Sequence, residues 1–374
     1  MEQIANRIIF SPLDVDLAKS PLRAGLGNVT YVLGAFNPGL ARLPNGNLLL
    51  MVRIAEALSE PVKDGHIRSI RWSGGKFVID KYPLDEVETE DPRKFILKRF
   101  SPNIVYALTS LSWLLPVEIT PDGKNILAIH YDKALAPDRS SQEYGIEDAR
   151  ITQIADKYYM TTCTVSSERH ATTLFESDNG LEYRFKGIIL DHQNKDMLIF
   201  NEKVGDEYYA LTRPLGSLYF VTGRDSDWIP GPSINLATSP DLMYWKPFDQ
   251  AFMRPRNGSG FGNRVGGGTP PILTEKGWLM LYHGVENSGK VGIYRTYWAM
   301  LDKNEPCNIL EHDDTRPLLE AVTALTENMK DKIYLEDVVF TTGIVDSGDH
   351  FIVASGELDL ACRISLMPKK IFGL

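Results

Sequence analysis

Two adjacent acids and an arginine stand out in the stretch Tyr144-Gly145-Ile146-Glu147-Asp148-Ala149-Arg150-Ile151. A glycine precedes them, and Ile151 to Ile154 and Tyr158 to Thr162 follow on either side of the polar turn Ala155-Asp156-Lys157. Apolar runs of that length around such a turn read as a β-hairpin. Carboxylates delivered at the mouth of a strand are where an acid catalyst would be held. The plain alternative is an Asp–Arg pair bracing a turn, since short motifs of this kind recur by chance.

Further candidates are spread along the chain, each with an ordinary explanation. Asn37, in Phe36-Asn37-Pro38-Gly39, suits a tight turn. Arg53 ends an apolar strand and can reach solvent. Lys195, in Asn194-Lys195-Asp196, fits a solvated loop. Lys203 and Arg213 flank a hairpin, where exposed pairs with Glu202 or Glu207 would each contribute well under ~1 kcal/mol. His283 follows apolar residues and suits a core histidine.

Taken together they suit one chemistry. A glycosidic oxygen leaves poorly until it is protonated, so an inverting enzyme sets a carboxylic acid on one side of the sugar and an activated nucleophile on the other. Water as nucleophile needs a second carboxylate as base. Phosphate needs none, only fixed cations to hold the dianion. Asp148 would be the acid, and Lys195, Lys203, Arg213 and His283 the cations.

The elements that must position these residues read as all-β. Strand pairs recur around polar turns: Leu40 to Leu43 and Asn47 to Arg53 about Pro44-Asn45-Gly46, and Ile67 to Trp72 and Lys76 to Asp80 about Ser73-Gly74-Gly75. The apolar Ile104 to Ile119 turns at Thr120 to Lys124 into Ile126 to His130. Similar pairs lie at 203–211, 271–282 and 338–353. Degenerate four-strand units of this size mark a β-propeller. Five are expected, at 36–82, 145–190, 196–250, 266–320 and 337–370, with 83–144 as an insertion or an elaborated blade of a single domain spanning 1–374. A two-sheet sandwich also supplies many short strands. It would not explain why a polar residue sits at a similar place in each unit: Asn37, Asp148, Lys195, His283 and Asp359.

Composition narrows the partners. The chain has 374 residues, a formal net charge of -9 and 43% hydrophobic residues, which describes an ordinary globular protein. The negative balance argues against nucleic acid or an anionic membrane as partner, so any phosphate site must be a local basic cluster. The segment Met1 to Phe10 lacks the pattern of a secretory signal, and no stretch is long enough to span a bilayer. Cys163, Cys307 and Cys362 are isolated, as expected of free thiols in a reducing cytoplasm, although a secreted domain with its leader removed is the alternative. No metal-ligand spacing is apparent. Oligomeric state is left open, a homo-oligomer included.

Several motifs, in order, resemble those of glycoside hydrolase family 130: Glu147-Asp148-Ala149-Arg150, Phe200-Asn201-Glu202-Lys203-Val204, Leu211-Thr212-Arg213-Pro214, Gly267-Gly268-Thr269-Pro270-Pro271-Ile272 and Tyr282-His283-Gly284-Val285. That family comprises β-mannoside phosphorylases and some β-mannosidases on a five-bladed propeller, and the resemblance runs from about Phe36 to Asp359. It implies Asp148 as general acid, passing its proton through the 3-hydroxyl of the bound mannose. It implies Lys195, Arg213 and His283, with Lys203, as phosphate ligands. Asn37, Arg53 and Asp359 would contact the mannose, with Glu147 and Arg150 of the acid motif beside them. Ala149 and Asn201 stand where the family has proline, and Lys195 is a point charge where a bidentate fork would grip more tightly.

The expectation is an inverting phosphorylase of short β-manno-oligosaccharides, releasing α-mannose 1-phosphate. The look of the segment 191–214 suggests a β-1,2 linkage. The substrates would be an oligosaccharide and inorganic phosphate, with no cofactor. A hydrolase of the same family is the first rival: it would lose the phosphate cations and gain acids opposite Asp148, for which Glu286 and Glu202 are candidates. A non-catalytic sugar-binding protein is the second, and it would need no acid facing a cation cluster.

Overall fold

The computed structural model describes residues 4–190, 192–215, 229–256, 259 and 261–374. Residues 216–228 of the third expected unit, and residue 191 of the segment read for linkage, lie outside them. The architecture is all-β. The N-terminal strand β1 (Ala5–Phe10) precedes a long hairpin, β2 (Thr30–Arg42) and β3 (Leu48–Leu58). Its turn follows the local chemistry: Gly46 takes a φ of 87°, and the Asn45 side chain accepts a hydrogen bond from the Asn47 amide.

Two small three-stranded sheets follow. One holds β4 (Val62–Lys63), β5 (His66–Ser73) and β6 (Lys76–Pro83), the other β7 (Val87–Asp91), β8 (Lys94–Leu97) and β9 (Tyr106–Leu108). The chain then returns to the first hairpin, laying β10 (Ser110–Ile119) antiparallel on β3, with β11 (Ile126–Ile129) outside it. The expected unit 36–82 is therefore corrected. Its outer strands come from within 83–144, and the hairpin β5–β6 is a separate sheet. The cause is burial: Leu111, Trp113, Leu115, Val117 and Ile119 pack with Leu48, Leu50, Val52 and Ile54 in one core cluster.

β12 (Gly145–Ile154), β13 (Lys157–Val165), β14 (His170–Ser177) and β15 (Arg184–Ile188) form an antiparallel run. A single parallel pair, Ser112 with Gly145, joins it to the first run as one eight-stranded sheet. Gly145 is required there, because a Cβ would come within 2.6 Å of the Ser112 backbone. The next sheet is β16 (Asn194–Ile199), β17 (Tyr208–Pro214), β18 (Asn235–Ser239) and β19 (Lys246–Pro247). After it come β20 (Arg264–Gly267), β21 (Ile272–Leu273), β22 (Trp278–Glu286), β23 (Ile293–Leu301) and β24 (Ile309–Asp313) in one sheet. The last sheet is β25 (Val339–Ser347), β26 (His350–Glu357) and β27 (Ala361–Pro368), completed by β1 from the opposite end of the chain. Among the described residues, no helix is long and apolar enough to cross a membrane.

One backbone device recurs. In β2, β12 and β16 the first strand carries one extra residue relative to its partner: Phe36 pairs with Arg53 but Gly39 with Met51, Glu147 with Cys163 but Arg150 with Thr161, and Lys195 with Arg213 but Leu198 with Leu211. Each is a β-bulge. The residue after each first-named one is left-handed, with φ of 48° at Asn37, 51° at Asp148 and 51° at Asp196. Asn and Asp tolerate that region better than other residues with a Cβ.

Candidate active site

The bulges turn their polar residues into one cavity of about 250 Å³. Asn37, Arg53, Glu147, Asp148, Lys195, Arg213 and Asp359 all line it, so seven of the ten residues singled out from sequence meet at one place.

The acid side is built by β2, β3 and β12. The Arg53 guanidinium donates through Nη1 to Asp148 Oδ1, through Nη2 to Glu147 Oε1 and through Nε to Ser112 Oγ, each at 2.9 Å. The Asn37 amide donates to the same Asp148 Oδ1 at 2.9 Å. Glu147 is shared, because Lys195 Nζ donates to its Oε2 at 3.0 Å. Burial opposes the charge on Asp148. Arg53, Arg150, Lys195 and the Asn37 hydrogen bond outweigh it and hold the carboxyl far below the usual carboxylate range. Burial likewise opposes the charge on Glu147, and Arg53 and Lys195 overcome it. Asp359 behaves in the opposite way: burial exceeds the pull of Arg53 and Arg93, and its pKa is raised.

The opposite wall belongs to β16 and β17. Arg213 Nε lies 2.7 Å from Asp196 Oδ2, close enough for an ion pair although neither atom is aligned for a hydrogen bond. Arg150 Nη2 is 3.5 Å from Asp196 Oδ1, and His283 Nε2 is 3.8 Å from Oδ2. Lys195 is charged despite burial, since the carboxylates of Glu147 and Asp148 outweigh its desolvation. His283 is fully buried, and neither ring nitrogen has a hydrogen-bond partner among the described residues. Burial pushes its imidazole down to about 3, and Arg213, Arg150 and Arg264 act in the same sense against the pull of Asp196. Gly266 makes this packing possible, because a Cβ there would meet His283 at 2.5 Å and Arg213 at 2.7 Å.

Three of the expected residues are placed elsewhere. Lys203 is exposed on the turn beyond β16, where its ammonium donates to the Asp206 carbonyl at 2.9 Å and sits 4.6 Å from the Tyr208 ring centroid. The strand from Asp196 to Ile199 alone carries the chain about 10 Å from the cavity at ~3.3 Å per residue. Its expected phosphate contact is therefore corrected. Arg150 is behind the wall rather than at the sugar: Nε donates to the Gly268 carbonyl at 2.7 Å and Nη1 to the Asp148 carbonyl at 2.9 Å. It braces the two bulges instead. His283 is beneath Asp196 and Arg213 and does not line the cavity. Glu202 is on the exposed Lys203 turn, and Glu286 ends β22 outside the cavity wall.

The structure adds Asp196, His170, Arg93, Lys94, Tyr294 and Tyr334 to the lining. Asp196 was legible in principle, because Lys195-Asp196 repeats the placement of Glu147-Asp148 before a hairpin. Arg93 and Lys94 reach the cavity from the β7–β8 turn, and no local pattern announces that.

Comparisons with known proteins agree with this geometry. A family model described as β-1,4-mannooligosaccharide phosphorylase, that of glycoside hydrolase family 130, matches residues 106–373. The chain is 34% identical over 354 residues to a β-1,2-mannobiose phosphorylase of Listeria innocua, covering 94% of this chain and 91% of that protein. It is 27% identical to a β-1,2-mannobiose phosphorylase of a Thermoanaerobacter species, over 88% of this chain and 98% of the relative. The solved Listeria innocua enzyme in complex with β-1,2-mannobiose superposes with a TM-score of 0.81 at 32% identity, over 98% of this chain and 97% of that one. Motif order, shared architecture and similarity along nearly the whole length converge, and the chain belongs to glycoside hydrolase family 130.

Proposed function

We propose that the chain is an inverting β-mannoside phosphorylase acting on short β-1,2-linked manno-oligosaccharides. The observation that carries this is one cavity walled by Asp148 with its Arg53 and Asn37 partners and, from other strands, by Lys195 and Arg213. A phosphate oxygen attacks C1 of the mannose while the bond from C1 to the bridging oxygen breaks. The Asp148 proton moves to that oxygen, through the mannose 3-hydroxyl as the family resemblance implies. The products are α-mannose 1-phosphate and the shortened sugar. Asn37, Arg53 and Asp359 would hold the mannose. The β-1,2 linkage follows the mannobiose phosphorylases to which the chain is similar.

The acid must carry a proton when the bond breaks, yet its surroundings favour the carboxylate. A bound dianion would shift that balance towards the protonated acid, because it competes for the cations that stabilise the charge on Asp148. A hydrolase would need a base facing Asp148. Asp196 is the carboxylate on that wall, and Arg213 holds its pKa down against the effect of burial, which makes it a weak base.

The fold reading within this proposal is a five-bladed propeller. Its support is that the strands nearest the cavity touch in cyclic order: β2 with β12, β12 with β16, β16 with β20, β22 with β25 and β25 with β2. A cytoplasmic setting is supported by three cysteines that are all free.

Incubation with β-1,2-mannobiose, with and without inorganic phosphate, tests the activity. Cleavage should require phosphate and yield mannose 1-phosphate. Equal rates without phosphate, with mannose alone as product, would make the chain a hydrolase.

A further inference from the structure

The cations of the expected phosphate wall are already engaged. Lys195 is held by Glu147 at 3.0 Å, Arg213 by Asp196 at 2.7 Å, and Arg53 by Glu147 and Asp148 at 2.9 Å each. Arg93, on the roof of the cavity, is gripped by both oxygens of Asp91 at 3.0 Å. Lys94 differs. It lines the cavity and is half-buried, and it meets no carboxylate among the described residues. Its ammonium lies 4.0 Å from the Tyr106 ring centroid and makes no hydrogen bond among the described residues, so donors remain for a ligand.

Lys94 also stands among like charges. Burial, Arg93, Lys195 and Arg264 all push its ammonium towards the neutral form, with Asp91 alone opposing them. Arg264 has no carboxylate partner among the described residues either: its Nη2 donates to the Val291 carbonyl at 2.8 Å and to the Tyr294 hydroxyl at 2.5 Å. An exposed ion pair between Glu90 and Lys290 connects the hairpin carrying Lys94 to the β22–β23 turn, and Val291, next to Lys290, lines the same cavity. Arg264 lies outside the cavity lining, which leaves Lys94 as a lining cation with no carboxylate contact among the described residues, and such a cation favours an anion.

We propose that Lys94 is a phosphate ligand supplied by the β7–β8 hairpin, closing from above on an anion seated against Lys195 and Arg213. This rests on the phosphorylase reading of the cavity. The same contact would serve inorganic phosphate in cleavage and the phosphoryl group of mannose 1-phosphate in the reverse reaction.

The test compares Lys94→Met and Lys94→Arg in the full-length protein, after the wild type has been shown to need phosphate. A wild type that cleaves equally well without phosphate would overturn the phosphorylase reading itself. Given phosphate dependence, Lys94→Met should raise KM for phosphate and for mannose 1-phosphate by roughly 10-fold or more, and KM for β-1,2-mannobiose by no more than about 2-fold. Lys94→Arg should recover most of the loss, and both variants should melt like the wild type. A raised mannobiose KM with unchanged phosphate KM would assign Lys94 to the leaving sugar and overturn the proposal. Unchanged values for all three substrates would overturn it equally.

Discussion

The bulges of β12 and β16 are the same backbone feature put to opposite uses. Each inserts one residue, and each turns an aspartate left-handed at a φ of 51°. Asp148 points at Arg53 and Asn37 and stands in the cavity as the candidate acid. Asp196 points at Arg213, Arg150 and His283 and gathers cations. Residues across the ladder make the difference. Glu147 pairs with the neutral Cys163, so the acid takes its cation from β3, which lies beyond β10 in the same sheet. Lys195 pairs with Arg213, so the cation arises within the same hairpin. The bulge therefore sets where a carboxylate stands, and the partner strand sets what it does.

The strongest way to break this comparison is to remove the acid. Asp148→Asn keeps the shape and the left-handed preference but has no proton to transfer, and general acid catalysis contributes typically 10²–10⁴-fold. Turnover should fall by about that factor, with sugar binding largely kept. A variant within a few-fold of wild type would reduce Asp148 to a brace for its turn.

Asp196→Ala should instead act on stability and on the anion together. It leaves Arg213 and Arg150 buried without their counter-charge, and breaking a buried pair costs about 3–5 kcal/mol. Denaturant unfolding should show a loss of that order, together with a raised phosphate KM. Unfolding like the wild type, with turnover lost as in the Asp148 variant, would mean that the two aspartates share the chemistry.

The smallest effect is the dependence of stability on pH. Glu147, Asp148 and Asp196 have folded-state pKa values below their ordinary ones. Their contribution is complete above the unfolded carboxylate range and is lost as pH falls through about 4 and below. Asp359, raised by burial, works with the opposite sign, since it binds its proton more tightly when folded. His283, held down to about 3 by burial, adds to the loss as pH falls below the unfolded histidine range, and together with the three carboxylates it should outweigh Asp359 and lower the melting temperature by several degrees between about pH 5 and 3. Asp148→Asn should flatten that slope, and a slope that steepens in the variant would contradict the assignment of charges.

Much of the molecule was written locally. The turns at Pro44-Asn45-Gly46, Ser73-Gly74-Gly75 and Ala155-Asp156-Lys157 lie where their residues require, and the strands beside them follow. Asn37, Arg53, Asp148, Lys195, Arg213 and Asp359 could be named because each falls at a position that the family resemblance marks, although Asn37, Arg53 and Asp148 lie within strands rather than at their ends. Local chemistry did not extend to pairing between distant segments. β1 closes the sheet of β25 to β27 from the far end of the chain, and β10 joins β3 across two intervening small sheets, both by burial that no turn announces. The same limit explains the reassigned side chains. Lys203 follows the motif yet leaves the cavity because the strand continues past the bulge, whereas Lys94 enters it because a remote hairpin folds over the top. Residue type and spacing determined which groups were available. Bulge geometry and long-range packing decided which of them face one another, because the facing depends on register and burial contributed by strands far apart in the chain.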